Sequence, residues 1–437
     1  MRDYSGNPAS PSPSATDAAA APRAAGIDAE FACRFRDEVE RELIERLLPF
    51  WMERALDRQG GGFFGQVGAD GVPVPDAPKA GLLNARILWT FARAYRRYGT
   101  PAYLAMAQRA HGFLVERVRD RRHGGLFWTV DRAGNALEPH KQIYLQAFGI
   151  YGLAEYARAT GDADALGQAI ELHRLVERNA RDRRHGGYVE AFERDWSPRP
   201  DVRLNPRFDP DVPKTMNTHL HLLEAYAGLA RAWPDPTLTA RLTDLVRLFV
   251  DRIVDSRTGH CRLYFGDDWE PRSDRVSFGH DIEAGWLLVA AARGLHDETL
   301  QAAVAPVAIG LARAVLAHGI DDDGGVRCEA GPGVVTVDHK DWWPQAEAVV
   351  GFLDAFELTG DAAFLRTAHR SWCFIREHVI DPAAGEWRWR VRRDGTSAGL
   401  PLVAKWKCPY HNGRMCLEVV RRLARLSASE HGHGYGQ

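Results

Sequence analysis

Hydrophobic positions along the chain recur at helical spacing, and the spacing breaks at regular intervals. Leu83, Ile87, Leu88 and Phe91 follow i, i+4, i+5, i+8, the pattern of an amphipathic or buried helix. Consecutive helices are separated by short stops: Tyr98-Gly99-Thr100-Pro101, Thr160-Gly161-Asp162 and Thr359-Gly360-Asp361. In each, glycine suits a left-handed stop and Thr or Asp suits the cap of the next helix. Leu126 to Val130 and Glu386 to Val391 alternate, or are β-branched and aromatic, and predict short strands joining one helical unit to the next.

The pattern repeats. RDRRHGG occurs at 119–125 and again at 181–187, each time after a helical stretch and before a short aromatic or β-branched run. Weaker versions place one loop glycine per occurrence at Gly61, Gly124, Gly186, Gly259, Gly324 and Gly385, with intervals of 63, 62, 73, 65 and 61 residues. Such a unit exceeds the roughly 33–47 residues of a solenoid hairpin and fits two helices plus a small extended loop. Six hairpins predict an all-α fold, an (α/α)6 barrel of inner and outer helices with short β-hairpin loops. Neither end shows a polar capping repeat, which favours closure over an open solenoid.

Composition narrows the function. The 437 residues are 45% hydrophobic and carry a formal net charge of -2, so no basic field exists to draw nucleic acid or an anionic membrane. Cys33, Cys261, Cys328, Cys373, Cys408 and Cys416 lack the spacing of a disulfide framework, and a reducing cytoplasm is the expected location. Residues 1–27 are rich in Ala, Pro and Ser without a signal-peptide core and are expected to be a disordered leader. Residues 28–428 form the expected single catalytic domain, and 429–437 a flexible His/Gly tail. The tail's histidines are a weak metal motif. No apolar run is expected to reach the roughly 20 residues of a membrane span.

A closed ring points the starts of its inner helices at one mouth, where polar and aromatic residues would line a shared pocket. The six inner segments offer Arg86; Tyr144; Asn217 with His221; His280 with Glu283; Trp343 with Glu347; and His411. In SFGHDIEAGWLL, His280, Glu283 and Trp286 fall at i, i+3 and i+6, which puts the first two on one helix face and lets Glu283 set the imidazole's tautomer. The bland alternative is a capping histidine beside a solvated glutamate. In WKCPYHNGRM, Pro409 makes a turn that lifts His411 to a helix start. Cys408, His411 and Cys416 invite a zinc reading, but their spacing matches no familiar zinc pattern. Trp342 and Trp343 precede Glu347 on a helix opened by Pro344, and adjacent tryptophans cannot both face the core of one helix.

At these motifs the chain resembles the cellobiose 2-epimerases, within the wider N-acylglucosamine 2-epimerase family. The resemblance covers about residues 28 to 428 and is carried by LNARILWTF, KQIYLQAFGIYGLAEY, KTMNTHLHLLEAY, FGHDIEAGWL, WWPQAEAVVGF and WKCPYHNGRM. It implies a cofactor-free, reversible epimerisation at carbon 2 of the reducing glucose of β-1,4-linked disaccharides, with no metal. His280 and His411 would be the general acid/base pair, with Arg86, His221 and Glu283 polarising the reducing sugar. Glu347, Tyr144, Asn217, Trp286, Trp343 and Trp406 would bind it. The expected partner is a small oligosaccharide, bound by a monomer. Rival expectations are an aldose-ketose isomerase or a monosaccharide 2-epimerase, a glycoside hydrolase using two carboxylates, and a sugar-binding protein without turnover.

Overall fold

The computed structural model describes residues 28–331 and 339–431. The leader expected over 1–27 and the last six residues of the expected tail lie outside the described residues. Residues 429–431, expected in the tail, are instead the end of a helix, because the last helix runs from Tyr410 to His431.

Thirteen helices account for most of the described chain. They are α1 (Ala29–Glu42), α2 (Leu48–Glu53), α3 (Gly81–Tyr98), α4 (Pro101–Phe113), α5 (Ile143–Thr160), α6 (Ala163–Asn179) and α7 (Met216–Ala230). There follow α8 (Pro236–Leu248), α9 (Phe278–Leu295), α10 (Glu298–Ala314), α11 (Trp342–Thr359), α12 (Ala362–Phe374) and α13 (Tyr410–His431). Odd-numbered helices from α3 to α13 are nearly buried on all sides, whereas the even-numbered ones show one buried face. The buried set packs in cyclic order, α3 on α5, α5 on α7, α7 on α9, α9 on α11, α11 on α13, and α13 back on α3. Each leans chiefly on one outer helix, and the chief partner of α13 is α1, from the opposite end of the chain.

The expected stops are present. Gly99, Gly161 and Gly360 end α3, α5 and α11 in the left-handed conformation. Asp162 and Asp361 cap the following helices through their carboxylates. Thr100 differs: its side chain makes no cap bond, and Pro101, with no N–H to satisfy, opens α4 instead. The six repeat glycines, Gly61, Gly124, Gly186, Gly259, Gly324 and Gly385, all have φ between 71° and 88°. A Cβ is disfavoured in that region, so one local turn accounts for the repeat.

Two devices tie these turns to the inner helices. Extended residues before an inner helix pair antiparallel with those after the next outer helix: Lys79–Ala80 with Thr129–Val130, Lys141–Gln142 with Ala191–Phe192, and Lys214–Thr215 with Tyr264–Phe265. Val276–Ser277 with Glu329–Ala330 and His339–Asp341 with Arg390–Arg392 continue the series, and a single bridge, Val67 to Val403, completes it. The expected strands at 126–130 and 386–391 are thus present but shorter, at Thr129–Val130, Glu386–Trp387 and Arg390–Arg392. The second device is a buried lysine just before the inner helix that reaches back to the loop acid. Lys79 meets Asp57 at 2.7 Å, Lys141 meets Asp120 at 3.0 Å, Lys214 meets Asp182 at 2.7 Å and Lys407 meets Glu386 at 2.8 Å. Lys340 meets Asp321 at 3.0 Å, and in the remaining repeat Val276 stands at the lysine's place. A buried charge needs such a partner, so each pair sets the register of loop against helix start.

One expectation on apolar runs is corrected. Glu298–Gly319, which is α10 with the π turn after it, is long and apolar enough by composition to cross a membrane. Its buried face, with Leu300, Val304, Ala308, Leu311 and Ala312, belongs to a helix that packs on α9 and α11.

Candidate active site

The N-terminal ends of the inner helices enclose a cavity of about 470 Å³. Its wall takes one or two side chains from the first turns of each: Arg86 from α3, Tyr144 from α5, Asn217 and His221 from α7. His280 and Glu283 come from α9, Trp343 from α11 and His411 from α13, while Trp406 is contributed by the loop before α13. Nine of the eleven expected site residues therefore meet in one space. The two that do not are Glu347 and Trp286, which lie beneath the wall.

Three imidazoles from the inner helices face this space, and each has Nδ1 tied to a partner. His280 Nδ1 meets Ser277 Oγ at 2.8 Å, His411 Nδ1 meets Glu347 Oε1 at 2.6 Å, and His221 Nδ1 meets Glu224 Oε2 at 3.0 Å. That leaves Nε2 of each ring for the cavity. His280 and His411 both lie against Trp343, with ring centroids 4.7 and 5.6 Å away. Burial pushes the His280 proton affinity down to about 3, with His221 adding to the effect. Burial, then Arg86 and Arg414, hold His411 well below the usual imidazole range. Burial also lowers His221, against the pull of Glu224. Neutral imidazoles with an open nitrogen are general bases.

The expected partnership of Glu283 with His280 is not present. The two share a helix, but Ser277, at the strand end before α9, takes the His280 nitrogen. Glu283 is turned downward to accept from Arg414 Nη2, and its Oε1 lies 4.0 Å from His411 Nδ1. Arg414 is the residue that sequence reasoning missed. Its guanidinium, 1% exposed, donates to Glu224, to Glu283 and to Glu347 Oε1 at 2.7 Å. Tyr410 donates to Glu224 as well. The i, i+3 rule applied to His280 and Glu283 also fits His221 with Glu224 and His411 with Arg414, so the signal was available. Trp286, expected to bind the sugar, donates its indole N–H to Glu347 Oε2 at 3.1 Å and has Arg414 over its ring.

This arrangement separates the carboxylates electrostatically. Burial, and Glu347 next to it, raise Glu283 to about 8. Burial likewise raises Glu347, against Arg414. Glu224 is buried too, yet Arg414 and His221 bring it down to about 2. Arg86 is also buried, donates to Tyr144 Oη at 2.6 Å and sits over the Phe148 ring at 4.2 Å. No carboxylate pairs with it among the described residues, so its charge is available to an anion in the cavity. The helix N-termini that ring the cavity add partial positive charge in the same direction.

Among the described residues, two groups have metal-ligand geometry. Glu283, Glu347 and His411 offer atoms within 4.8 Å of one another, but Arg414 already supplies the cation between these carboxylates. Cys328, His339 and Asp341 cluster at the cavity wall, where Arg390 takes both Asp341 oxygens. Cys408 turns toward Arg86, 3.9 Å away, and Cys416 is buried in the core, so neither joins His411 in a zinc-like set. Trp342 and Trp343 divide as adjacent helical residues must, Trp342 being buried and Trp343 half-buried, although both reach the cavity.

Comparison with known proteins gives consistent matches. The family model described as N-acylglucosamine 2-epimerase (GlcNAc 2-epimerase) matches residues 62–413. The chain is 43% identical over 390 residues to the cellobiose 2-epimerase of Bacteroides fragilis, covering 88% of this chain and 98% of that one. It is 36% identical to that of Dictyoglomus turgidum, with 89% and 98% covered. The solved cellobiose 2-epimerase of Bacillus thermoamylovorans superimposes with a TM-score of 0.85 at 37% identity, covering 89% of this chain and 100% of that chain.

Proposed function

The chain belongs to the N-acylglucosamine 2-epimerase family, and from that premise we propose that it epimerises carbon 2 of the reducing-end glucose of β-1,4-linked disaccharides, turning cellobiose into glucosyl-mannose. Its architecture on this reading is a closed (α/α)6 barrel, supported by the cyclic packing of six inner helices from α3 around to α13. The observation that carries the reaction is the pair His280 and His411, two neutral imidazoles on one cavity wall, each with Nδ1 tied back and Nε2 toward the cavity.

The chemistry follows from what carbon 2 requires. A closed sugar ring has no acidic carbon hydrogen, so the ring opens first to an aldehyde. The unprotonated imidazole takes the proton from carbon 2, and the C–H electron pair moves into a carbon 1 to carbon 2 double bond. The carbonyl oxygen then carries the charge of an enediolate. Arg86, itself buried, and the helix N-termini stabilise that oxygen, the type of term that is often largest in catalysis. Rotation about the carbon 2 to carbon 3 bond turns the other face to the second imidazole, which returns a proton. The site thus enters turnover with one proton to give, held by the raised Glu347 carboxyl beside His411 Nδ1 and relayed through the ring, so that both imidazoles start neutral. Trp343 and Trp406 offer ring faces to the sugars, and Tyr144 and Asn217 offer polar contacts.

A hydrolytic reading would require two carboxylates across the scissile bond. Glu283 and Glu347 are both clamped on Arg414, and Glu347 is off the cavity wall, which favours epimerisation. Proton NMR of chelator-treated protein with cellobiose in deuterated water tests the proposal. Glucosyl-mannose carrying deuterium at carbon 2 is expected; no change with cellobiose, lactose or mannobiose would overturn the disaccharide reading.

A further inference from the structure

The inner helices enclose a second concavity toward their C-terminal ends, about 390 Å³ in volume. Arg414 and Glu224 form part of its wall and so stand between it and the catalytic cavity, whose lining includes neither. Eight arginines and three glutamates line it. Some of that charge is matched internally. Glu155 takes Arg158 at 2.9 Å and Glu418 takes Arg421 at 2.6 Å. Asp354, outside the lining, takes Arg422 at 2.8 Å, and Arg414 belongs to the catalytic side. Arg231, at the end of α7, and Arg425, on α13, are both exposed at the rim and have no ion pair among the described residues.

Trp89, only 4% exposed, lines the same space, and its indole N–H has no hydrogen-bond partner. Buried donors without acceptors are rare in folded proteins. Part of the arginine excess offsets the negative ends of the helix dipoles, at about half a charge for each end. That role requires neither an unpartnered indole N–H beside the space nor guanidinium groups from two different helices at one rim.

We propose that this concavity is a binding site for a small polyanion, a molecule bearing two or more phosphate or carboxylate groups. Guanidinium forks bind both groups in a bidentate manner, and the volume suits a small molecule. The test is isothermal titration calorimetry of the full chain with pyrophosphate, citrate and inorganic phosphate, at ionic strength matched with chloride. Saturable one-to-one binding of pyrophosphate or citrate tighter than about 1 mM is expected, and which of the two binds better identifies a phosphate or a carboxylate ligand. An Arg231→Ala/Arg425→Ala double variant is expected to bind at least about tenfold more weakly, about 1.4 kcal/mol, while still converting cellobiose at the wild-type rate. A control pair in the exposed repeat loops, Arg121→Ala/Arg183→Ala, is expected to bind as the wild type does. Failure of all three anions to bind, an unchanged affinity in the rim variant, or an equal loss in the control would each overturn the site and leave the arginines as helix-dipole partners.

Discussion

Arg414→Met removes the one guanidinium that three buried carboxylates share, and replaces it with an apolar side chain of similar reach. In the wild type, Glu224 is held at about 2, below an ordinary glutamate, despite complete burial. Over roughly two and a half pKa units at 1.36 kcal/mol each, that shift corresponds to on the order of 3 kcal/mol. It agrees with the 3–5 kcal/mol lost when one partner of a buried ion pair is removed. Glu283 contributes little to the loss, since at about 8 it is protonated at neutral pH already. The pH dependence has a definite sign. A carboxylate with a depressed folded pKa stabilises above its unfolded value, about 4.3, and that stability is lost as pH falls toward the folded value. Without Arg414, Glu224 becomes a buried acid with raised pKa and Glu347, already raised, goes higher, so the variant loses stability as pH rises past about 4.3. Urea denaturation followed by tryptophan fluorescence at pH 5 and pH 8 is therefore expected to show Arg414→Met less stable by about 3–5 kcal/mol at pH 8, with a smaller deficit at pH 5. Equal stability of the two proteins at pH 8, or a deficit that grows toward pH 5, would refute the assignment of Arg414 as the shared counter-ion.

Three further outcomes follow from the same geometry. His280→Ala and His411→Ala should each lower the epimerisation rate by about 10²–10⁴-fold in the deuterium NMR assay, with exchange at carbon 2 surviving from only one of the two epimers; retention of about a tenth of the wild-type rate in either variant would remove that histidine from the mechanism. Because burial holds both imidazoles below their ordinary value, they stay unprotonated as pH falls, so the acid limb of the kcat/KM profile should lie below about 6.5; a limb above that value would exclude these bases. Gly124 and Gly186 share φ values of 71° and 76°, but an added Cβ meets Leu175 at 2.8 Å only at Gly124. Gly186→Ala should therefore cost about 1–2 kcal/mol from backbone strain alone and Gly124→Ala more, measurable as a lower Tm; equal shifts would show that the Leu175 side chain yields freely.

Sequence periodicity was sufficient for the six-unit plan and for most of the site. A helix has one period, and a left-handed turn that disfavours a Cβ leaves a glycine at each recurrence, so helices, stops and repeat glycines were legible locally. Nine cavity residues could be named for the same reason, because inner helices of one register all present their first turns to one mouth. What stayed illegible was partnership across helices. Glu283 and His280 satisfy helical spacing, yet Ser277 takes the imidazole and Arg414, 131 residues further on, takes the glutamate. Trp286 and Glu347 sit at plausible positions, and only the depth of the wall shows that they support His411 and Arg414 from beneath. The lysine before each of five inner helices could be read from the chain, but its pairing with the loop acid could not. Spacing along a helix determines which face a side chain is on; which of several buried charges it meets there depends on how neighbouring helices pack, since each charge must find a counter-ion within a few ångströms and the nearest one comes from another helix.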